Sequence, residues 1–451
     1  MAPLTRTQAS LARPAPWTAA LGVTCVAAAA TALGRPSAAP VASALQEAEP
    51  YIGAPIHYEA DTRADAVARL TASVRAGSFR GTWDERHGWL PAALAAFDIP
   101  VESQVLVFSK TSLQADRISP TTPRAIYFND EVVVAWIYGS PVMEVTALDP
   151  VQGPTFYALP QTPDALTLER RDDSCLTCHA SPRTQGWPGH VIRSVHPDAR
   201  GFPILRAGTY RTTDSSPLEE RWGGWYVTGT HGAQRHMGNT TVANDAERVD
   251  LDAGANVTDL AQFLDLARYP SPHSDIVALL VLEHQCEMQN VLARGSYETR
   301  RALDYQHVLN EALKEPEGHV SDSTRRRIER AAEDIVDRLL FKDAAPLQAP
   351  VQGTSRFAEV FQARGKRDAG GRSLRDLELQ RRLFRVPCSY MIESAAFAAL
   401  PPELLEVIWR DLGAILHGRE GARPAPQLDA EDRRAILEVL RSTLDTLPDG
   451  F

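Results

Sequence analysis

The pentapeptide Cys175-Leu176-Thr177-Cys178-His179 puts two thiols one helical turn apart, with an imidazole directly behind the second. Whatever it holds must rest on the surface of that turn, so the surrounding chain has to fold as a receptacle. Three occupants meet some part of the spacing: a zinc ion, a reversible disulfide and a haem. Zinc takes four ligands, usually from two knuckles of this type, and the chain contains one. The others would have to be drawn from isolated residues such as His284, Cys286 or Cys388. A redox dithiol is expected where a strand feeds a helix, whereas the preceding "LERRDDS" is charged and lacks strand character.

Covalent haem attachment accounts for the whole pentapeptide. Thiols one turn apart can each add to one of the two porphyrin vinyl groups, and the adjacent imidazole then rises under the iron. With five cysteines and twelve histidines in 451 residues, chance would produce this motif in roughly one or two of a thousand such chains. The expectation is therefore one haem c, linked through Cys175 and Cys178, with His179 as the proximal iron ligand and its other ring nitrogen fixed by a backbone carbonyl.

The N-terminus bears on where such chemistry would take place. Arg6 and Arg13 precede the uncharged run "WTAALGVTCVAAAATAL", Trp17 to Leu33, and Ala42-Ser43-Ala44 follows as an A-x-A cleavage site. Residues 1 to 44 read as a signal peptide, which directs the protein to the periplasm or another exported location where haem can be attached. An uncleaved membrane anchor is the alternative. Losing that segment removes three arginines and takes the formal charge from −10 to −13, a balance that disfavours nucleic acid and favours a redox partner with a basic docking surface. The four cysteines beyond Cys25 are too few and too scattered for a disulfide framework.

Periodicity divides the rest of the chain. An amphipathic helix is expected over Asp61 to Gly77. Short β-branched and aromatic runs then follow at Gln104 to Lys110, Ala125 to Asn129, Glu131 to Gly139, Pro141 to Leu148, Pro154 to Leu159 and Gly223 to Gly229. Turn residues between the first five predict an antiparallel meander. Beyond the acidic stretch Asn244 to Gly254 nearly every segment has helical spacing. A helix start is expected at Ser271-Pro272, with helices through Asp275 to Gly295, Tyr297 to Lys314, Ser321 to Phe341, Ser389 to Leu400, Pro402 to His417 and Ala430 to Ser442. The fold class expected is α+β: a mixed haem-attachment domain over residues 45–245, then a helical domain over 258–451.

A strong second axial ligand makes an electron carrier, and an open position permits oxidant chemistry. Met237 in "GTHGAQRHMGN" is the favoured distal candidate, because a thioether suits electron transfer. His236 and His284 are weaker candidates, and Met143, His190 and His196 weaker still. His284 shares an apolar stripe with Val277, Val281, Met288 and Val291, which also fits a core histidine bonded to a neighbour. Cys286 reads as a small buried hydrophobe. Arg183 and Arg193 lie close enough in sequence to meet the haem propionates.

The segments "PRAIYFNDEVVVAWIYGSPVMEV", "DDSCLTCHASPRTQGWPGH", "SPLEERWGGWYVTGTHGAQRHMGN", "SDIVALLVLEHQ", "GRSLRDLELQRRLFRVPCSYMI" and "ALPPELLE" together resemble a group of exported bacterial proteins described as containing a cytochrome c domain or a single C-x-x-C-H haem site. The likeness spans roughly residues 80 to 445. It implies a c-type haem on Cys175, Cys178 and His179 and assigns no activity. The expected function is that of an exported monohaem c-type cytochrome in electron transport. The alternative is a peroxidase-like or oxygenase-like haem enzyme with an open distal iron site.

Overall fold

Side chains on a strand alternate between two faces, and here both faces of one sheet are covered. The computed structural model describes residues 49–451 apart from Thr62, Asn244, Asp245, Glu247, Glu317, Thr446 and Asp449; the expected leader lies outside them. Strands β1 (Val105–Val107), β2 (Arg124–Phe128), β3 (Val132–Ile137), β4 (Val142–Asp149), β5 (Gly153–Pro160) and β6 (Glu169–Arg170) form an antiparallel meander. β7 (Arg193–Val195) and β8 (Thr209–Arg211) make a separate hairpin, and β9 (Trp225–Tyr226) extends the meander beside β1. β10 (Gly229–Thr230) pairs with the distant β11 (Gln352–Gly353).

Helices α1 (Ala66–Arg75) and α2 (Leu90–Ala96) precede the sheet, and α3 (Asp172–His179) carries the pentapeptide. The second half contains α4 (Ile276–Leu313), α5 (Asp322–Leu339), α6 (Phe357–Ala363), α7 (Ala395–Ala398), α8 (Pro402–Leu416) and α9 (Ala430–Thr443). Mixed content with the sheet first and the helices after it agrees with the expected class.

One sheet face, including Tyr127, Val134, Trp136, Val145 and Tyr157, packs on α1, α2 and Leu260 and Leu264. On the opposite face Val105, Val107, Ile126 and Ala135 join the apolar side chains of α4, α5 and α8 in a second core. The strand-rich and helical segments therefore share a core across α4. Among the described residues no helix is long and apolar enough to cross a membrane.

Several boundaries differ from expectation. No break occurs near Gly295, and α4 runs on to Leu313. A Cβ at Gly295 would lie 2.8 Å from Ile335 Cδ1, so this glycine lets α5 approach and does not end the helix. The α4 start falls after Ser271-Pro272, at Asp275, whose carboxylate accepts from Val277 N and Ala278 N. The helix expected over Ser389 to Leu400 divides into a 3₁₀ turn, Tyr390–Glu393, and α7, because Ser394 turns extended and caps a fresh start.

Candidate haem site

Cys175, Cys178 and His179 occupy the last turn and a half of α3, an eight-residue helix with no buried residue of its own. Arg170 holds its entry: it bonds Asp172 at 2.5 Å and the carbonyl of Ala60, and covers the Tyr58 ring. Leu176 and Ala180 lean on a cluster of Tyr51, Tyr58, Trp187 and Tyr297. Those contacts fix the back of the helix and leave the thiol face free, with Cys178 exposed and Cys175 partly so.

The thiols and the imidazole open together onto a cleft of about 1230 Å³, its mouth included. Cross-strand register builds the floor, since Ile126, Ala135 and Glu144 form one row and Val133, Thr146 and Phe156 the next, all on one face. Leu282 and Cys286 of α4 form the back wall; Ile192, Arg193 and Trp225 complete it beside the hairpin. Leu113, 63% exposed, stands at the rim.

His179 is oriented by its surroundings. Its ring packs on Phe156 with centroids 4.5 Å apart, and Nδ1 lies 2.8 Å from the Gly189 carbonyl oxygen, which accepts its proton. Nε2 is then the atom left to a metal, and burial lowers the imidazole pKa, which favours the neutral, ligating form. The Gly189 carbonyl is itself held from α4. Asn290 clamps the next residue on both sides, accepting from His190 N at 2.7 Å and donating to His190 O at 2.9 Å. A Cβ on residue 189 would stand 2.7 Å from Asn290 Oδ1, so glycine is required there.

The charged groups that line the cleft are three arginines and one carboxylate. Arg124 of β2 meets Glu144 of β4 at 2.9 Å, while Arg124 Nε is buried without a hydrogen-bond partner. Arg193 Nε is likewise buried and unpartnered among the described residues, and its guanidinium donates to Thr209 Oγ1 at 3.3 Å. Burial and the nearby Arg183 guanidinium lower the Arg193 pKa. Neither Arg183 nor Arg193 has a carboxylate within ion-pair distance among the described residues. Two cations facing an apolar slot, one with an orphaned donor, suit a flat apolar group that carries carboxylates. The residues therefore fit haem: Cys175 and Cys178 for the vinyl carbons, His179 for iron, Arg183 and Arg193 for the propionates.

They fit the other occupants less well. No three His, Cys, Asp or Glu among the described residues assemble as a metal-binding group, so a four-ligand zinc site is not built. Burial and the Glu144 carboxylate push the Cys175 thiol up to about 11, whereas a redox dithiol needs a lowered value.

Of the distal candidates, the structure brings only His190 to this cleft among the described residues. Met237 packs with Val242 and Val249, and its sulfur accepts from Ser194 Oγ at 3.5 Å. His236 stands edge-on to Trp222, and its Nδ1 accepts from Gly238 N. Both nitrogens of His284 are engaged, Nδ1 with Asp214 at 3.0 Å and Nε2 with Ser389 at 2.7 Å, which makes it a core histidine. Met143 belongs to the core on the far face of the sheet, and His196 lies by Tyr210. His190 does line the cleft, and burial and the nearness of His179 depress its pKa to about 3. It follows directly on Gly189, whose carbonyl orients His179.

Asn290, Gly189, Phe156, Arg124 and Glu144 are the site residues that sequence reasoning missed. Phe156 and Glu144 lie on expected strands at alternating positions, where a face assignment would have found them. Asn290 stands one turn beyond Cys286 on an apolar helix, a polar residue needing a partner. Comparison with protein-family models, curated proteins and solved structures returns no match.

Proposed function

We propose that this chain is an exported monohaem c-type cytochrome that passes single electrons, with Cys175 and Cys178 as covalent anchors and His179 as axial ligand. The observation that carries this reading is the convergence of both thiols and a carbonyl-oriented imidazole on one apolar cleft. Haem held in this way supplies a one-electron couple and, if its sixth position is open, can bind small ligands. The protein's own part is to set the imidazole through Gly189 and Asn290, to neutralise two carboxylates with Arg183 and Arg193, and to exclude water with Ile126, Val133 and Leu282. Cys178, exposed at the mouth, places that edge within reach of a docking protein, and the overall charge of −10 favours a basic one.

A second reading is favoured by a specific observation. The cleft lining contains no methionine, and the charged pair Arg124 and Glu144 enters it from the sheet. An apolar pair would be the cheaper wall, so two charges there suit a polar ligand at an open distal position, as in a haem oxidoreductase. Absorption spectra of the purified ferric and ferrous protein separate the two. A six-coordinate, low-spin species indifferent to carbon monoxide and peroxide is expected of the carrier. Rapid binding of either ligand would replace it with the enzyme reading.

A further inference from the structure

A second cavity lies beyond α4. Leu282 faces the cleft, and Leu280, 200° away around the helix, lines a separate space of about 920 Å³ including its mouth. Its walls are apolar, formed by Leu218, Leu280, Leu340, Phe341, Leu383 and Phe384. Phe341 stacks on His284 at 4.4 Å and holds a φ of 56°, a left-handed conformation that bulky residues avoid and that persists where packing imposes it.

The polar groups of this cavity are nearly all satisfied by one another. Arg221, 5% exposed, is bound by Glu283 at 2.8 Å and by the carbonyls of Asp214 and Ser216. The Asp214 carboxylate lies between His284 and Arg338. Arg382 grips Asp432 with both terminal nitrogens. Among the described residues, Arg382 Nε is buried without a partner, and the one carboxylate near Arg381, 83% exposed, is Glu378, 3.7 Å away. The cavity thus has an apolar body and two arginines at its rim, Arg382 held by Asp432 and Arg381 only loosely by Glu378.

The chain Asp214, His284 and Ser389 runs beneath this space in the order of a hydrolytic triad, but Ser389 is fully buried and does not line the cavity. Its Oγ also accepts from Met391 N and caps the next turn. No nucleophile is presented, so the space is suited to binding and not to hydrolysis.

We propose that this cavity binds a small amphipathic monoanion, with its hydrocarbon body between Phe341, Phe384 and Leu280 and its carboxylate on Arg381 and Arg382. The site shares no lining residue with the haem cleft and is independent of the haem assignment. The test is calorimetric titration of decanoate into the full-length holoprotein at fixed ionic strength, with decanol as the uncharged control. Saturable binding of one decanoate is expected, tighter than decanol. Arg381→Glu should weaken decanoate at least tenfold and leave decanol unchanged. Ala344→Trp, which fills the space from a half-buried loop position, should abolish both, with an unchanged circular dichroism spectrum verifying the fold. Absence of saturable binding, equal affinity for acid and alcohol, or binding that survives either substitution unchanged overturns the proposal. The Cys175→Ala/Cys178→Ala variant should bind decanoate as the parent does, so a failed haem assignment would not affect this result.

Discussion

His236 illustrates what burial does to a single side chain. Enclosed by Trp222 and His231, with Nε2 left without a partner, it has its pKa depressed to about 3, first by burial and then by the His231 and Arg235 charges. As pH falls through about 6.5 the unfolded chain takes up a proton that the native state refuses until about 3, so stability is lost across that window as acid is added. The loss reaches about 2 kcal/mol by pH 5 from this residue alone. In His236→Gln, urea unfolding at pH 7 and pH 5 should show a difference smaller by about that amount; an unchanged difference would assign the acid sensitivity elsewhere. At this scale the sequence was legible where spacing groups residues, as at Cys175, Cys178 and His179, which line one cleft. It was not legible where a role depends on a partner far along the chain. Met237 sits in a loop that resembles a ligand loop, yet its sulfur is taken by Ser194, 43 residues earlier. Asn290 gains its role only because the chain returns to it from 100 residues away.

Among the elements, α4 organises the molecule, because it walls both cavities and packs on the sheet, α5 and α8. Its first turn depends on one carboxylate. Asp275 accepts from Val277 N and Ala278 N as a cap, and also from Thr354 N, Ser355 N and Ser355 Oγ of the loop after β11. Gly353 is confined by the same group, since a Cβ there would lie 2.4 Å from Asp275 Oδ1. An ordinary cap contributes about 1 kcal/mol, and buried loop donors left unpaired add to that. Asp275→Ala should therefore cost about 3 kcal/mol in chemical denaturation, where a loss under 1 kcal/mol would reduce the residue to a simple cap. The meander was readable because turn residues separate runs of period two. The join of α4 across Gly295 was not, because a glycine that ends a helix and one that admits a neighbour look alike until Ile335 is placed. The short α2 and α6 lack enough turns for a period to show.

For the whole molecule, the sheet separates a small helical layer from a large one, and the pentapeptide stands at the edge where sheet, α4 and hairpin meet. Orphaned arginine donors beside a largely apolar slot are costly, and the carboxylates of the proposed porphyrin would offset that cost. The mixed class and the order of its halves were visible in the sequence; the shared core across α4 was not, because it depends on which sheet face each half covers. The central claim is the covalent bond. Protein produced in cells able to attach haem during export should be denatured, run on a gel stained for haem peroxidase activity and weighed intact. The parent is expected to keep its colour on the polypeptide with the added mass of one haem, and Cys175→Ala/Cys178→Ala to lose both. A colourless parent whose two sulfurs are free or joined to each other would contradict the account.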